Sequence, residues 1–340
     1  MRIIVVNSAA AANEIFAGSA TTALSSRPVF HTFHHIIAGT LGTTIGTAGF
    51  GDALKKGRKA TASELSKPAV KANLGKIDLE TRHFLQELLV YGSEGQHPVL
   101  VSKPIKRLTL SLSLSICYGR RVYLGDPLTH DIIEVEDEIL KFRSMTDNLQ
   151  DYISLFRVWP LNSYSGKAVE LRKRRDAYVL RLNQEIEAKL QAPGSHQDCL
   201  YAKNMASPHP LPAKELSTVL LTFLSGGLAT ASNPNLFEDP ETFRPERWLE
   251  YPDLPIFSYG LGYRMCAGYT LANREIYILL ARIIALYEIG PSPDTDANHI
   301  SGCADPAHQA MAPKNSGLYF RPRDVNNIKN VLAQGHDDIM

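Results

Sequence analysis

A glycine-rich segment near residue 260 holds a cysteine between an arginine and the predicted start of a helix. Over residues 257–268 the sequence is Phe-Ser-Tyr-Gly-Leu-Gly-Tyr-Arg-Met-Cys-Ala-Gly. Because glycine has no Cβ, the backbone at Gly260 and Gly262 can approach a flat ligand closely. The first N–H groups and the dipole of the downstream helix would favour the thiolate form of Cys266. Arg264 is placed to pair with an anionic group on the same ligand.

The spacing of this segment is unlike that of an ordinary turn. Typical residue frequencies are roughly 7% for Gly, 5% for Arg and 1% for Cys, so the five fixed positions, including Gly268, arise on the order of once in ten thousand chains of this length. The alternative is a buried structural cysteine beside a common glycine turn. The spacing favours a ligand-binding loop in which Cys266 supplies the sulfur.

Helical periodicity dominates the elements that would position this loop. The predicted helices cover residues 9–17, 55–65, 78–89, 108–117, 132–153, 168–190, 215–224 and 269–287. The last of them is nearly all apolar, which is typical of a helix buried on most sides. Strands are predicted at residues 1–8 and 317–321, and a Gly/Thr-rich loop is predicted over residues 39–51.

The composition is that of a folded globular chain. Its 340 residues are 44% hydrophobic and 21% charged, with 36 Lys and Arg against 35 Asp and Glu. A net charge of +1 gives no reason to expect a nucleic-acid partner. The four cysteines lie far apart, which argues against a zinc ribbon and a disulfide-rich fold. No apolar run is long enough to predict a membrane span, and the N-terminus lacks the pattern of a signal peptide.

The loop around Cys266 resembles the haem-binding loop of the cytochrome P-450 monooxygenases, with Tyr259 where their pattern usually has Phe. Residues 239–248, Asp-Pro-Glu-Thr-Phe-Arg-Pro-Glu-Arg-Trp, resemble the meander of that family, in which Arg247 would be the structural arginine. Ser25-Ser26-Arg27-Pro28 also recurs in these proteins. The resemblance extends over nearly the whole chain and is closest to the fungal phenylacetate hydroxylase branch, over the stretches 25–34, 40–47, 65–78, 147–176 and 224–228.

This resemblance implies a mainly α fold with small β-sheets, as one incomplete cytochrome P-450 domain over residues 1–324 and a polar tail over 325–340. It implies haem b as the cofactor and Cys266 as the axial ligand of the haem iron, where a thiolate favours O–O cleavage. The other implied haem-binding residues are Arg264, Arg58, Tyr259, Gly260, Gly262 and Gly268. The implied partners are O2, a small aromatic substrate and an NADPH-dependent cytochrome P-450 reductase; full-length relatives imply the endoplasmic reticulum membrane.

The sequence departs from the family's pattern at three places. Where the family carries an acid followed by Thr, this chain has Ala229 and Thr230, so Thr230 is the candidate catalytic residue but Ala229 cannot carry a proton. The alternative is that the pair is simply two small residues at a helix end. Close after Thr230, near residues 230–233, a long stretch with a Glu-x-x-Arg motif is missing. The family's membrane anchor and first helix are also missing, and Leu54 replaces the Trp that usually bonds a haem propionate. Arg58 retains the charge to pair with a propionate, or it is one cation of the solvated run 55–59.

Other motifs have a functional and a simpler interpretation. His31, His34 and His35 could suggest a metal site, but without a carboxylate at helical spacing they are more typical of loop or pocket residues. The glycines of residues 39–51 are no dinucleotide fingerprint, because no strand leads into them. The basic run 173–175 is a solvated helix face or a contact for the acidic reductase.

Two functional hypotheses follow. The first is a haem-thiolate monooxygenase that hydroxylates a small aromatic substrate. The second is a catalytically inactive cytochrome P-450 remnant that lacks the Glu-x-x-Arg helix and part of the pocket. The loop at Cys266 favours the first hypothesis, and the missing stretch favours the second.

Overall fold

The helices of this chain follow closely the apolar periodicity of its sequence. The computed structural model describes residues 5–6, 8–18, 22–143, 148–192, 198–226, 246–250, 258–296, 298, 301–302, 314 and 316–333. The α-helices within them are α1 (Ala9–Ala17), α2 (Asp52–Glu64), α3 (Lys67–Ala72), α4 (Leu74–Tyr91), α5 (Ser102–Tyr118), α6 (Pro127–Lys141), α7 (Leu149–Tyr152), α8 (Ser163–Gln191), α9 (Leu200–Ala206), α10 (Ala213–Leu224), α11 (Arg247–Glu250), α12 (Tyr269–Leu286) and α13 (Val325–Ala333). A π-helical turn covers His31–Ile36, and 3-10 turns cover Ile37–Gly39, Ser154–Arg157 and Gly262–Arg264.

Several helices begin where a side chain satisfies a free backbone N–H group. Ser8 accepts a hydrogen bond from the Ala11 amide at 3.2 Å before α1, and Asp126 accepts one from the Leu128 amide at 2.9 Å before α6. Such caps compensate the donors that the first helical turn leaves unpaired. Helix α5 ends at Tyr118 and is capped by Gly119, whose φ of 61° is the left-handed conformation that glycine adopts without strain.

Helix α5 is the centre of the larger core. It packs against α4, α6, α9 and α10, so its side chains are buried on most faces. Helix α8 lies across the same core and buries one stripe, which includes Leu171, Tyr178 and Leu182. This stripe at helical spacing is what amphipathic periodicity predicts.

A buried cluster of charges joins α4 to α5. Arg107 is fully buried; one guanidinium nitrogen pairs with Glu80, and the other donates to Glu87 at 2.8 Å. Glu80 also accepts from the Nε of Arg121 at 2.6 Å. Because each buried carboxylate has a cationic partner, the cluster avoids the large cost of an unpaired buried charge.

The sheet is a two-stranded antiparallel pair at the C-terminal end of α12. Strand β1 (Tyr287–Pro291) pairs with β2 (Leu318–Pro322) in a register that sets Ile289 opposite Phe320. The hydroxyl of the buried Tyr287 donates to the Leu85 carbonyl at 2.9 Å, which attaches the sheet to α4. The mainly helical architecture with a small sheet confirms the predicted fold class.

Three expectations from the sequence are wrong. The helix predicted over 132–153 ends at Lys141, because the segment after it makes contacts elsewhere: Gln150 donates to the Thr32 hydroxyl and Asp151 accepts from the Thr32 amide, both at 2.6 Å. Residues 325–333, expected within a polar tail, form α13, whose Ile328 is fully buried in the second core beside α4. Helix α12 is also less buried than predicted. The strand predicted over residues 1–8 lies largely outside the described residues.

Candidate functional site

The segment around Cys266 folds into a tight loop that ends where α12 begins. Two glycines allow the turn, since Gly260 has a φ of 72° and Gly262 a φ of 58°. Both values lie in the left-handed region that other residues adopt only with strain. The Cys266 amide closes the loop by donating to the Tyr259 carbonyl at 2.7 Å. Cys266 itself is exposed, so the sulfur is accessible at the end of the loop.

Arg264 forms hydrogen bonds between this loop and segments more than two hundred residues earlier in the chain. Its Nε donates to the Ser25 carbonyl at 2.6 Å, and its terminal nitrogens donate to Ile45 at 2.8 Å and Ala48 at 2.6 Å. Burial, followed by the charges of Arg27 and Arg58, lowers the pKa of Arg264 to about 10. Three of the five guanidinium N–H groups are thus committed to carbonyl oxygens, and two remain for an anionic ligand.

Arg58 reaches the same loop from α2. Its Nη2 donates to the Met265 carbonyl at 3.0 Å, and its guanidinium carbon lies 5.4 Å from the centre of the Tyr263 ring. One turn earlier, Leu54 is buried with Ile45 and Ala48 in a small cluster on which Tyr263 packs. The partly buried Arg58 is therefore part of the loop's support, not simply one cation of a solvated run.

Tyr259 and Gly268 frame the cysteine on either side. The Tyr259 hydroxyl donates to the Asn273 side chain at 2.7 Å. Burial, and then the charge of a nearby Cys266 thiolate, raises the pKa of Tyr259. A Cβ added at Gly268 would lie 3.8 Å from both the Cys266 sulfur and a Leu65 methyl group, which is ordinary contact.

The structure thus brings together seven of the predicted site residues. They are Arg58, Tyr259, Gly260, Gly262, Arg264, Cys266 and Gly268. Thr230, the predicted catalytic residue, lies outside the described residues, as does most of the meander segment 239–248. The carbonyl groups of Ser25, Ile45 and Ala48 also belong to the site, and no sequence signal predicts them, because every residue has a carbonyl group.

One face of α12 is exposed, contrary to the prediction that this helix is buried on most sides. Tyr277, Leu280 and Ile284 are 68%, 49% and 64% exposed, whereas Ile283 is buried. The exposed residues recur at helical spacing and so form one apolar stripe. Helix α12 therefore buries one face and exposes another, although most of its residues are apolar.

Comparison with known proteins identifies the family. The cytochrome P450 family model matches residues 1–234 and 228–304, and the chain therefore belongs to the cytochrome P450 family. The match confirms the family predicted from the loop and its associated motifs. This family uses haem as its cofactor, and the chain belongs to the monooxygenase class of enzymes.

Two fungal hydroxylases are among the similar proteins. The chain is 34% identical to 3-hydroxyphenylacetate 6-hydroxylase of Emericella nidulans, over 97% of this chain and 82% of that protein. It is 25% identical to phenylacetate 2-hydroxylase of the same organism, over 93% and 81%. A zebrafish cytochrome P450 solved with progesterone has a TM-score of 0.68 at 15% identity, covers 94% of this chain and 93% of its own, and shows the shared fold.

The alignment to the first of these hydroxylases is longer than the chain itself. It extends over 428 positions, whereas the chain has 340 residues, so this relative carries roughly 90 or more residues that have no counterpart here. The two stretches matched by the family model meet at residues 228–234. Those residues lie outside the described ones, and the gap near 230–233 stays a prediction.

The residues around Cys266 fit a haem on the side that the described residues form. The thiol is exposed, and the space beside Gly260 is open, since the nearest atom to an added Cβ there is the Arg264 carbonyl oxygen at 4.0 Å. Two arginines provide positive charge at the loop that carries the thiol: Arg58 donates to the Met265 carbonyl, and Arg264 lies two residues before Cys266 with two N–H groups not used by the three carbonyl contacts. A thiolate with neighbouring cations is the donor set that a haem iron with acidic propionates requires.

Proposed function

We propose that this chain is a haem-thiolate monooxygenase that hydroxylates the ring of a small aromatic acid, using O2 and electrons from an NADPH-dependent cytochrome P-450 reductase. The observation that carries the proposal is the exposed Cys266 at the end of a loop held by Arg264 and Arg58. The names of the two fungal relatives support phenylacetate-like acids as the substrate class. Association with the endoplasmic reticulum membrane belongs to this proposal; no described helix is long and apolar enough to cross a membrane.

Each residue of the loop has a distinct role in the proposal. Cys266 supplies the thiolate ligand of the haem iron, and a haem bound in this way supplies the activation of dioxygen. The amide of Cys266 is already paired with Tyr259, which orients the sulfur through the loop backbone. Arg264 holds the loop in position and offers its two remaining donors to an acidic group.

The proposed roles of Arg58 and Thr230 complete the site. Arg58 is bonded to the carbonyl next to Cys266 and stabilises acidic groups of the cofactor by its charge. Thr230 is the hydroxyl group that we assign to the oxygen-binding side. Its neighbour Ala229 has no group that can transfer a proton, so proton delivery depends on Thr230 and on water.

A second candidate function is an inactive remnant, and the exposed stripe on α12 favours it. Tyr277, Leu280 and Ile284 belong to a helix that starts at the cysteine loop, yet they face away from the core. Exposed contiguous apolar surface usually marks a surface that packs against something else. In the remnant hypothesis the missing stretch would have covered this stripe and completed the haem pocket.

The carbon monoxide difference spectrum of the reduced protein distinguishes the two candidates. The full chain is purified, its intact mass is measured, and haem is supplied during expression. A site that binds haem through Cys266 gives the absorption band of thiolate-ligated haem, and Cys266→Ser abolishes that band. Cys199→Ala, at a buried cysteine in the core, is the matched control and retains it. A folded chain without the band would establish the remnant and overturn the monooxygenase proposal.

Substrate class is tested on the same preparation. Addition of phenylacetate to the haem-loaded chain should shift its absorption spectrum, and turnover with NADPH and reductase should give a hydroxylated ring detected by mass spectrometry. If the haem band is present but several aromatic acids give neither a spectral shift nor a product, the chain binds haem and aromatic acids are not its substrates.

A further inference from the structure

A cavity of about 330 Å³ lies between α4, the segment after α5 and the end of α13. Helix α4 lines it with Leu79, Arg82, His83 and Gln86, which occupy one helix face because their spacing is i, i+3, i+4 and i+7. None of the residues that line it belongs to the cysteine loop. The volume lies within the range of small-molecule sites in proteins.

Among the described residues that line this cavity, the charged side chains are Arg82 and Arg121. The described charges that form ion pairs with them or next to them are Arg107 and Arg282 against Asp78, Glu80 and Glu87. A further carboxyl group, Glu275, lies near Glu80, and burial followed by that charge raises its pKa to about 7, so it carries only part of a negative charge at neutral pH. Four guanidinium groups against three carboxylates and a partly ionised Glu275 leave an excess of about half a positive charge among these described residues, and the cations Arg82 and Arg121 lie in the lining itself.

His83 is a neutral member of the cavity lining. Burial, followed by the charges of Arg107 and Arg121, lowers the pKa of His83 to about 4. Its Nδ1 lies 3.3 Å from Arg121 Nη2 and accepts a hydrogen bond from it, which leaves the ring neutral. The neutral ring adds no charge to the lining, in which Arg82 and Arg121 are the described cations.

The remaining wall is aromatic and apolar. Tyr123 is 49% exposed, with its ring 5.2 Å from the His83 ring and 5.4 Å from the guanidinium carbon of Arg121. Leu79 and Leu332 line the cavity with methyl groups. Nη1 of Arg121 lies 3.5 Å from the Tyr123 hydroxyl, which is a long contact. The N–H groups of Nη1 can therefore turn to a ligand.

We propose that this cavity binds a small aromatic monocarboxylate, with the carboxylate on the guanidinium groups of Arg82 and Arg121 and the ring against Tyr123. A guanidinium presents its N–H groups as a planar fork, which suits the two oxygens of a carboxylate. An aromatic ring with a half-exposed face provides a stacking surface for the body of the ligand. This site is separate from the cysteine loop and does not depend on haem.

The test measures binding of sodium benzoate to the full chain by isothermal titration calorimetry at low ionic strength. Gln86 is exposed on the cavity wall, so changing its charge leaves the buried ion pairs in place. Gln86→Lys should lower the Kd about fivefold and Gln86→Glu should raise it about fivefold, the effect of one unit charge about 4 Å away in water. The same two changes at the exposed Gln96, outside the cavity, should alter the Kd by less than about twofold.

Two further comparisons identify the parts of the ligand that matter. Benzamide has the same size without the charge and should bind at least about tenfold more weakly, and Tyr123→Ala should weaken benzoate while Tyr123→Phe preserves its affinity. Equal affinity of Gln86→Lys and Gln86→Glu, or of benzoate and benzamide, would overturn the proposal. So would an absence of benzoate binding at millimolar concentration. Because benzoate also resembles the proposed substrate, the titration is repeated in Cys266→Ser, where binding at this cavity persists whether or not haem binds.

Discussion

The guanidinium group of Arg264 ties the cysteine loop to two distant segments, and its removal tests how much that tie stabilises the fold. Arg264→Met keeps an aliphatic chain of similar length and deletes the hydrogen bonds to Ser25, Ile45 and Ala48. A hydrogen bond from a charged group contributes about 1.5–3 kcal/mol. Because Arg264 is partly exposed, we expect about 1 kcal/mol for each bond. The free energy of unfolding should therefore fall by about 3 kcal/mol.

Urea unfolding followed by circular dichroism measures this loss. Arg264→Lys keeps the charge, but one ammonium group cannot reach three separated carbonyl groups, so it should recover only about 1 kcal/mol of the loss. Arg274→Met, at an exposed arginine of α12, is the control and should change the stability by less than about 0.5 kcal/mol. Hydrogen exchange in the segment that contains Ile45 and Ala48 should accelerate only in the Arg264 variants.

Unfolding of Arg264→Met at the same urea concentration as the unmodified chain would show that these hydrogen bonds do not stabilise the fold. Full stability of Arg264→Lys would show that the geometry of three separate carbonyl groups is unimportant. Loss of stability without faster exchange near Ile45 would place the effect in a different part of the fold.

Three other changes test the charge cluster, the buried carboxyl group and the exposed stripe. Arg107→Met should lower the free energy of unfolding by about 3–5 kcal/mol in urea, because it leaves the buried carboxylates of Glu80 and Glu87 without their central partner. Burial and the charge of Glu80 raise the pKa of Glu275 from 4.5 to about 7, so the folded chain loses stability as the pH rises between those values. Glu275→Gln should remove that loss, and its stability relative to the unmodified chain should increase by about 3 kcal/mol from pH 4.5 to pH 8. On α12, Ile283→Ala should cost about 2–4 kcal/mol and Ile284→Ala less than about 1 kcal/mol, since the first side chain is buried and the second is 64% exposed.

Each of these three predictions has an outcome that would contradict it. An Arg107→Met chain of normal stability would mean that Arg121 alone neutralises the cluster. Glu170→Gln, at an exposed glutamate of α8, should show no pH-dependent difference, and a parallel curve for Glu275→Gln would refute the raised pKa. Equal costs at Ile283 and Ile284 would show that the apolar stripe is covered in solution.

Local periodicity predicted the helices best where tertiary contacts agree with it. Helix α1 covers the predicted residues 9–17, and α12 ends one residue before the predicted boundary. The predicted helix over 132–153 fails because Thr32 provides partners for Gln150 and Asp151 from a part of the chain more than a hundred residues earlier. Helix α13 was not predicted, because the stretch was assigned by its polar composition although Val325, Ile328, Val331 and Leu332 recur at helical spacing.

The sequence alone determined the family, the helical fold class and the candidate site around Cys266, because glycine, arginine and cysteine at fixed spacing carry their chemistry in their side chains. Only the tertiary structure showed that Arg264 is held by backbone carbonyl groups, because carbonyl groups leave no trace in residue type. The exposure of the α12 stripe likewise depends on which elements pack against it, and composition cannot specify that. The cationic cavity beside Tyr123 arises in the same way, since its walls come from three separate segments that only folding brings together.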